Sequence, residues 1–133
     1  MILITSTPFI PGNIKSKSTT SGLSQAIEDA QLVSDHVRIE ADPEKLTLTA
    51  SGDLMGATIT LLKGSDALLD LEVKENAKAT FSLSYLSEII KAASATSDIA
   101  TLEFSSDMPV RIDFQQMKEG KLTFYLAPRI ETE

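Results

Sequence analysis

Cysteine is absent from all 133 residues, which excludes both a disulfide framework and a thiolate metal site. Histidine occurs once, at His36, and no serine is placed with it by a recognisable catalytic motif. It reads as a partly exposed polar residue where a helix hands over to a strand. The aspartates Asp35, Asp42, Asp53, Asp66, Asp98 and Asp107 are scattered at turns, where Asp serves turn geometry. None of them makes the spacing of a calcium loop, and no glycine-rich loop is present to cradle a phosphate. The expectation is a protein that is not an enzyme and needs neither metal nor cofactor. No apolar run approaches the length of a membrane span. Met1–Ile4 is apolar but short, and it lacks the basic flank of a signal peptide. The simplest location is inside a cell, in solution, with no membrane partner. Positive charge is also in short supply: 12 Lys and Arg stand against 19 Asp and Glu, for a net charge of −7. That balance argues against a non-specific coat on nucleic acid, though it leaves room for a basic face on an acidic body.

What the chain does contain is a repeat. Leu23–Ala41, LSQAIEDAQLVSDHVRIEA, matches Leu86–Phe104, LSEIIKAASATSDIATLEF, at seven of nineteen positions without a gap. The identities are Leu23/Leu86, Ser24/Ser87, Ile27/Ile90, Ala30/Ala93, Ser34/Ser97, Asp35/Asp98 and Glu40/Glu103. Ordinary composition would give about one or two. A repeat of this length is one supersecondary unit used twice.

Periodicity fills in the unit. Ile14–Thr20 alternates small and basic residues and suits a strand. Ser21 is placed to cap a helix whose apolar residues Leu23, Ala26, Ile27 and Ala30 share one face, and Ser34-Asp35 would end it. Three strands follow: Val37/Ile39/Ala41, Leu46/Leu48/Ala50 after a turn at Asp42–Lys45, and Gly56–Lys63. Leu68–Lys74 reads as a linking strand. The plan then restarts with a strand at Ala77–Ser82. Ser82 or Ser84 is the candidate cap of a second helix with Leu86, Ile89, Ile90 and Ala93 on its apolar side. Strands around Ala100–Phe104, Val110–Phe114 and Leu122–Leu126 complete it. The expected fold is α+β, a duplicated β-α-β-β-β unit with two adjacent helices on one face of antiparallel sheet. Residues 14–133 form a single domain, with repeats at about 14–63 and 77–127. Residues 1–13 form an extended arm.

The C-terminal residues are the most specific. Gly120–Glu131, GKLTFYLAPRIE, with SSDMPVRIDF at Ser105–Phe114 and FSLSYLSEIIKA at Phe81–Ala92, closely resembles the second domain of archaeal and eukaryotic DNA sliding clamps, the proliferating cell nuclear antigen family. The likeness covers roughly Ile14 to the end. Met1–Gly12 resembles the end of the connector between the two domains of such a clamp. The resemblance implies a processivity factor: a ring of domains around duplex DNA, helices inward, that tethers polymerases and other replication and repair enzymes. It places such a protein in the cytoplasm of an archaeal cell, or in a eukaryotic nucleus. It also implies a docking pocket for partner peptides of the Gln-x-x-aliphatic-x-x-aromatic-aromatic kind. The matching positions are Pro109, Tyr125, Ala127 and Pro128, with Phe81 and Ser82 beneath the tail and Phe9 and Ile10 from the arm.

Two departures from the family pattern stand out. The other domain is missing, so the strands around Gly56, Thr58, Ile59, Thr60 and Leu61, and around Leu122, Thr123 and Phe124, are subunit-interface edges that lack partners in the chain. They call for copies of the same chain or for a separate first-domain clamp protein. The helix faces that would look toward DNA carry Gln25, Glu28, Asp29 and Leu32 on one helix and Glu88, Lys91, Ala92 and Ala95 on the other. Only Lys91, with Gln25 as a polar neighbour, suits a phosphate backbone, so direct contact with duplex DNA is expected to be weak and enclosure has to hold it. The alternative is a clamp-derived interaction or regulatory module that binds partner proteins without encircling DNA.

Overall fold

The computed structural model describes residues 12–65, 67–115 and 120–129. In order, the elements are β1 (Ile14–Thr19), α1 (Thr20–Gln31), β2 (His36–Asp42), β3 (Lys45–Ser51), β4 (Gly56–Leu62), β5 (Asp70–Val73), β6 (Ala77–Ser82), α2 (Leu83–Ser94), β7 (Ile99–Phe104), β8 (Val110–Gln115) and β9 (Lys121–Leu126). This is the α+β plan with a duplicated β-α-β-β-β unit and β5 between the copies. The strands do not form one sheet. They divide into a five-stranded sheet, β5-β1-β7-β8-β9, and a four-stranded sheet, β4-β3-β2-β6. Every strand pairing among the described residues is antiparallel.

The two copies are interleaved. β1 of the first copy pairs with β7 of the second, and β6 of the second pairs with β2 of the first. Each sheet therefore needs both copies, and neither unit is a separable domain. The inward residues of the sheets and the apolar stripes of the two helices merge into one core, with Val37, Leu48, Phe81, Phe104, Val110, Ile112 and Phe114 fully buried.

Local chemistry explains several boundaries. β1 alternates buried Ile14, Ser16 and Ser18 with exposed Lys15 and Lys17. The β2–β3 turn closes because Asp42 Oδ1 accepts from the amides of Glu44 at 2.9 Å and Lys45 at 3.1 Å, an Asx turn with Pro43 supplying its fixed φ. The cap of α1 is Thr19 rather than Ser21: its Oγ1 accepts from the Gly22 amide at 3.1 Å. Gln31 is the last helical residue and Leu32 the C-cap, so α1 stops short of Ser34-Asp35. Ser82 holds the N-cap position of α2 but makes no side-chain cap bond, its hydroxyl lying 3.1 Å from that of Ser84. The linking strand is shorter than its pattern suggests: it runs only from Asp70 to Val73, and just before it Leu68 is fully buried and Leu69 exposed, out of step with the inward Leu71 and Val73.

Candidate assembly edges and docking surface

Two sheets have four margins, and they are not alike. β5 is only four residues long, with Asp70 and Glu72 exposed on it. Short, charged edges resist pairing with a further strand. The β6 margin is closed from within the chain. Lys78 donates its amide to Ser106 Oγ at 3.1 Å, its carbonyl accepts from the Asp107 amide at 3.2 Å, and the Thr80 carbonyl accepts from the Arg129 amide at 2.6 Å. Asp107 reaches that position with a φ of 56°, a left-handed conformation that Asp tolerates better than most residues.

β4 and β9 are the other two margins. Among the described residues each pairs on one side only, with β3 and β8 respectively. From Gly56 through Leu62, and from Leu122 through Leu126, no residue is charged. Their core-facing sides are also incomplete. On β3 the inward residues Leu46, Leu48 and Ala50 are at most 1% exposed, yet Ile59, opposite Leu48, is only partly covered. On β8 Ile112 and Phe114 are fully buried, whereas Phe124, opposite Ile112, is partly covered and Leu122, opposite Phe114, is 37% exposed. The apolar layer runs past the last strand of each sheet and is left without a lid.

The positions expected around a peptide pocket separate into three groups. Val110 pairs with Leu126, which gathers Pro109, Tyr125, Ala127 and Pro128 at one end of the β8–β9 hairpin, all half-buried. The Arg129–Thr80 bond then lays the tail along β6, close to half-buried Ser82. Phe81, expected beneath the tail, lies deeper than the other positions. It is fully buried and meets the Phe104 ring edge-on, centroids 6.5 Å apart, because alternation along β6 turns it into the core. Phe9 and Ile10 lie outside the described residues.

Near the same tail, His36 Nδ1 lies 3.0 Å from Asp35 Oδ1. That hydrogen bond, helped by the residue's own amide and by the charge of Arg129, holds the Asp35 carboxyl below the usual aspartate range. The pairing orients exposed Asp35 and half-buried His36 at the start of β2.

The solvent faces of the helices carry the expected residues. Gln25, Glu28, Asp29 and Leu32 are exposed on α1 and its cap, and Glu88, Lys91, Ala92 and Ala95 on α2 and its cap. Gln25 is committed locally, donating from Nε2 to Asp29 Oδ1 at 2.9 Å. A cavity of about 500 Å³ where α1 begins and α2 ends is lined by serines and threonines together with Glu28 and Asp98, so carboxylates oppose any phosphate placed there.

Residues 15–130 match the family model described as "Proliferating cell nuclear antigen, C-terminal domain". The chain belongs to the proliferating cell nuclear antigen family. It is 37% identical over 124 residues to the DNA polymerase sliding clamp of Thermococcus gammatolerans, covering 93% of this chain and 49% of that one. To DNA polymerase sliding clamp 1 of Pyrobaculum aerophilum it is 36% identical over 125 residues, 94% of this chain and 50% of that one. The crystal structure of PCNA from Thermococcus kodakaraensis superposes with a TM-score of 0.84 at 30% identity, over 96% of this chain and 52% of that one. This clamp domain thus spans about half the length of the relatives it matches. No helix among its described residues is long and apolar enough to cross a membrane.

The closed β6 margin had no obvious signature in the sequence. Ser105-Ser106-Asp107 reads as a turn, and a turn does not announce that its hydroxyl and amide will cap another strand.

Proposed function

We propose that this clamp domain is a non-enzymatic ring component that assembles head to tail with other copies, encloses duplex DNA and tethers replication and repair enzymes. The observation that carries the proposal is the asymmetry of the sheet margins: two are blunted or capped, while β4 and β9, uncharged apart from Lys121 at the start of β9, leave core-facing side chains half bare. Joining two different edges makes a heterologous contact, which closes into a ring when its rotation allows. With residues 14–133 as one domain, six copies at about 60° each would close such a ring. Partner peptides would dock at the end of the β8–β9 hairpin, against Pro109, Tyr125, Ala127 and Pro128, with Phe9 and Ile10 contributed by the arm.

Size-exclusion chromatography with light scattering tests the assembly. A discrete multimer at micromolar concentration and near-physiological salt is expected, and a monomer under those conditions refutes the self-closing ring.

A second function is favoured by the helix faces, where Glu28, Asp29 and Glu88 outnumber Lys91. A module pairing with a separate first-domain clamp protein, or regulating one, would need no phosphate contacts at all. Restoration of a discrete complex only on adding such a partner would select it.

A further inference from the structure

We propose that the cleft where α1 begins and α2 ends binds a hydrated divalent cation of the magnesium class, held between the carboxylates of Glu28 and Asp98 with the Thr20 hydroxyl as a neutral oxygen donor.

The donor set points to that class. Besides Glu28 and Asp98, the side chains lining the cleft offer hydroxyls and one amide, with no lysine, arginine or histidine among them. Oxygen donors without imidazole or thiolate suit magnesium, calcium or manganese rather than zinc or copper. Both carboxylates are exposed, and neither joins an ion pair among the described residues. Magnesium gives up its waters reluctantly and is commonly held by one or two carboxylates. The cleft encloses about 500 Å³. A water takes about 30 Å³, so there is room for the ion with its hydration shell.

Thr20 gives independent support. It is 2% exposed, lines the cleft, and its Oγ1 has no hydrogen-bond partner among the described residues. A buried hydroxyl without a partner is costly, and an ion or its bound water is what supplies one. Ser16 and Ser18 lack partners as well, but neither lines the cleft.

The duplication provides an internal comparison. The two helices occupy equivalent places in the repeat, so Thr20 corresponds to Leu83, Glu28 to Lys91 and Asp98 to Asp35. In the other copy those places hold a fully buried leucine, a lysine, and an aspartate already engaged by His36. The fold therefore does not require a hydroxyl at this position. The copy that has one also has two unengaged carboxylates.

The helix ends agree with a positive ligand. α2 brings its C-terminal end, which carries partial negative charge. The first amides of α1 are turned to protein acceptors: that of Thr20 donates to the Asp98 carbonyl at 2.8 Å, and that of Gly22 to Thr19 Oγ1 at 3.1 Å. A dication seated here offsets the carboxylates that otherwise oppose a phosphate on this face.

The test uses the full chain and manganese(II), which takes the same oxygen ligands as magnesium, with binding read from loss of the free ion's EPR signal. One ion per chain is expected, displaced by excess magnesium chloride. Glu28→Gln/Asp98→Asn should weaken binding by about tenfold or more. Glu72→Gln/Glu88→Gln, which removes as much charge from exposed positions elsewhere, should leave it unchanged. Thr20→Val should weaken binding and Thr20→Ser should retain it, with urea unfolding verifying that each variant is folded. Equal losses in the two carboxylate variants would reduce the effect to diffuse attraction by an acidic surface and overturn the site. Undiminished binding by Thr20→Val would remove the hydroxyl from it. The absence of saturable binding at millimolar manganese would overturn the proposal outright.

Discussion

The backbone amide of Arg129 donates to the carbonyl of Thr80 at 2.6 Å, tying the C-terminal segment to β6 across 49 residues of sequence. This bond, with the Ser106 and Asp107 contacts to Lys78, is what closes one sheet margin and leaves sociability to β4 and β9. It also holds Ala127 and Pro128 beside the end of the β8–β9 hairpin, where the docking surface is proposed.

The cap assignment yields a paired test. Thr19→Ala should lower stability by about 1 kcal/mol in urea unfolding, as loss of an N-cap hydroxyl does. Ser21→Ala, on an exposed first-turn position, should change little. Equal effects at both sites would remove Thr19 as the cap.

Phe81 lies in the core, so its truncation is a stability change first. Phe81→Ala should cost about 3–5 kcal/mol, the usual range for emptying a buried aromatic site. Ser82→Ala, half-buried beside it, is expected to leave the urea midpoint nearly unchanged. A mild Phe81→Ala phenotype would contradict full burial against Phe104.

The Asp35 carboxyl should titrate below the ordinary aspartate range in an NMR pH series, because the bond from His36 favours its ionised form. The folded group then holds its proton less tightly than the unfolded one. Its stabilising contribution is present above the unfolded pKa and is lost as pH falls through the folded one. His36→Ala should move the midpoint upward; an unmoved midpoint would discard the hydrogen bond as the main cause.

The acidic helix faces predict weak direct binding to linear duplex DNA. Glu28→Lys combined with Glu88→Lys should raise the affinity and make it salt-sensitive, with a log–log slope steeper by about 0.9 for each phosphate newly neutralised. A gel-shift titration over a salt series reads both quantities. Tight, salt-sensitive binding by the unaltered chain would refute the prediction.

The repeat, the helices and the succession of strands along the chain were legible because each rests on local periodicity. Leu23, Ala26, Ile27 and Ala30 share a face at any position in any fold, and Val110, Ile112 and Phe114 alternate whatever they pack against. Cap residues were harder to place, since Thr19, Thr20 and Ser21 all carry hydroxyls and only the backbone turn selects one. The full burial of Phe81 was not legible for a related reason: pleat alternation along β6 turns it into the core while its neighbour Ser82 stays half-buried.

The amino-acid order by itself determined that this protein is one unit used twice, α+β, without disulfides, and ending like the second domain of a sliding clamp. Only the tertiary structure decided that the first strand of each unit leaves its own unit to complete the other's sheet, and that the remaining two margins are blunted at β5 and capped at β6. Strand pairing is a contact between residues far apart in sequence, chosen by which edges can bury their apolar sides together. Local pattern carries no record of that choice.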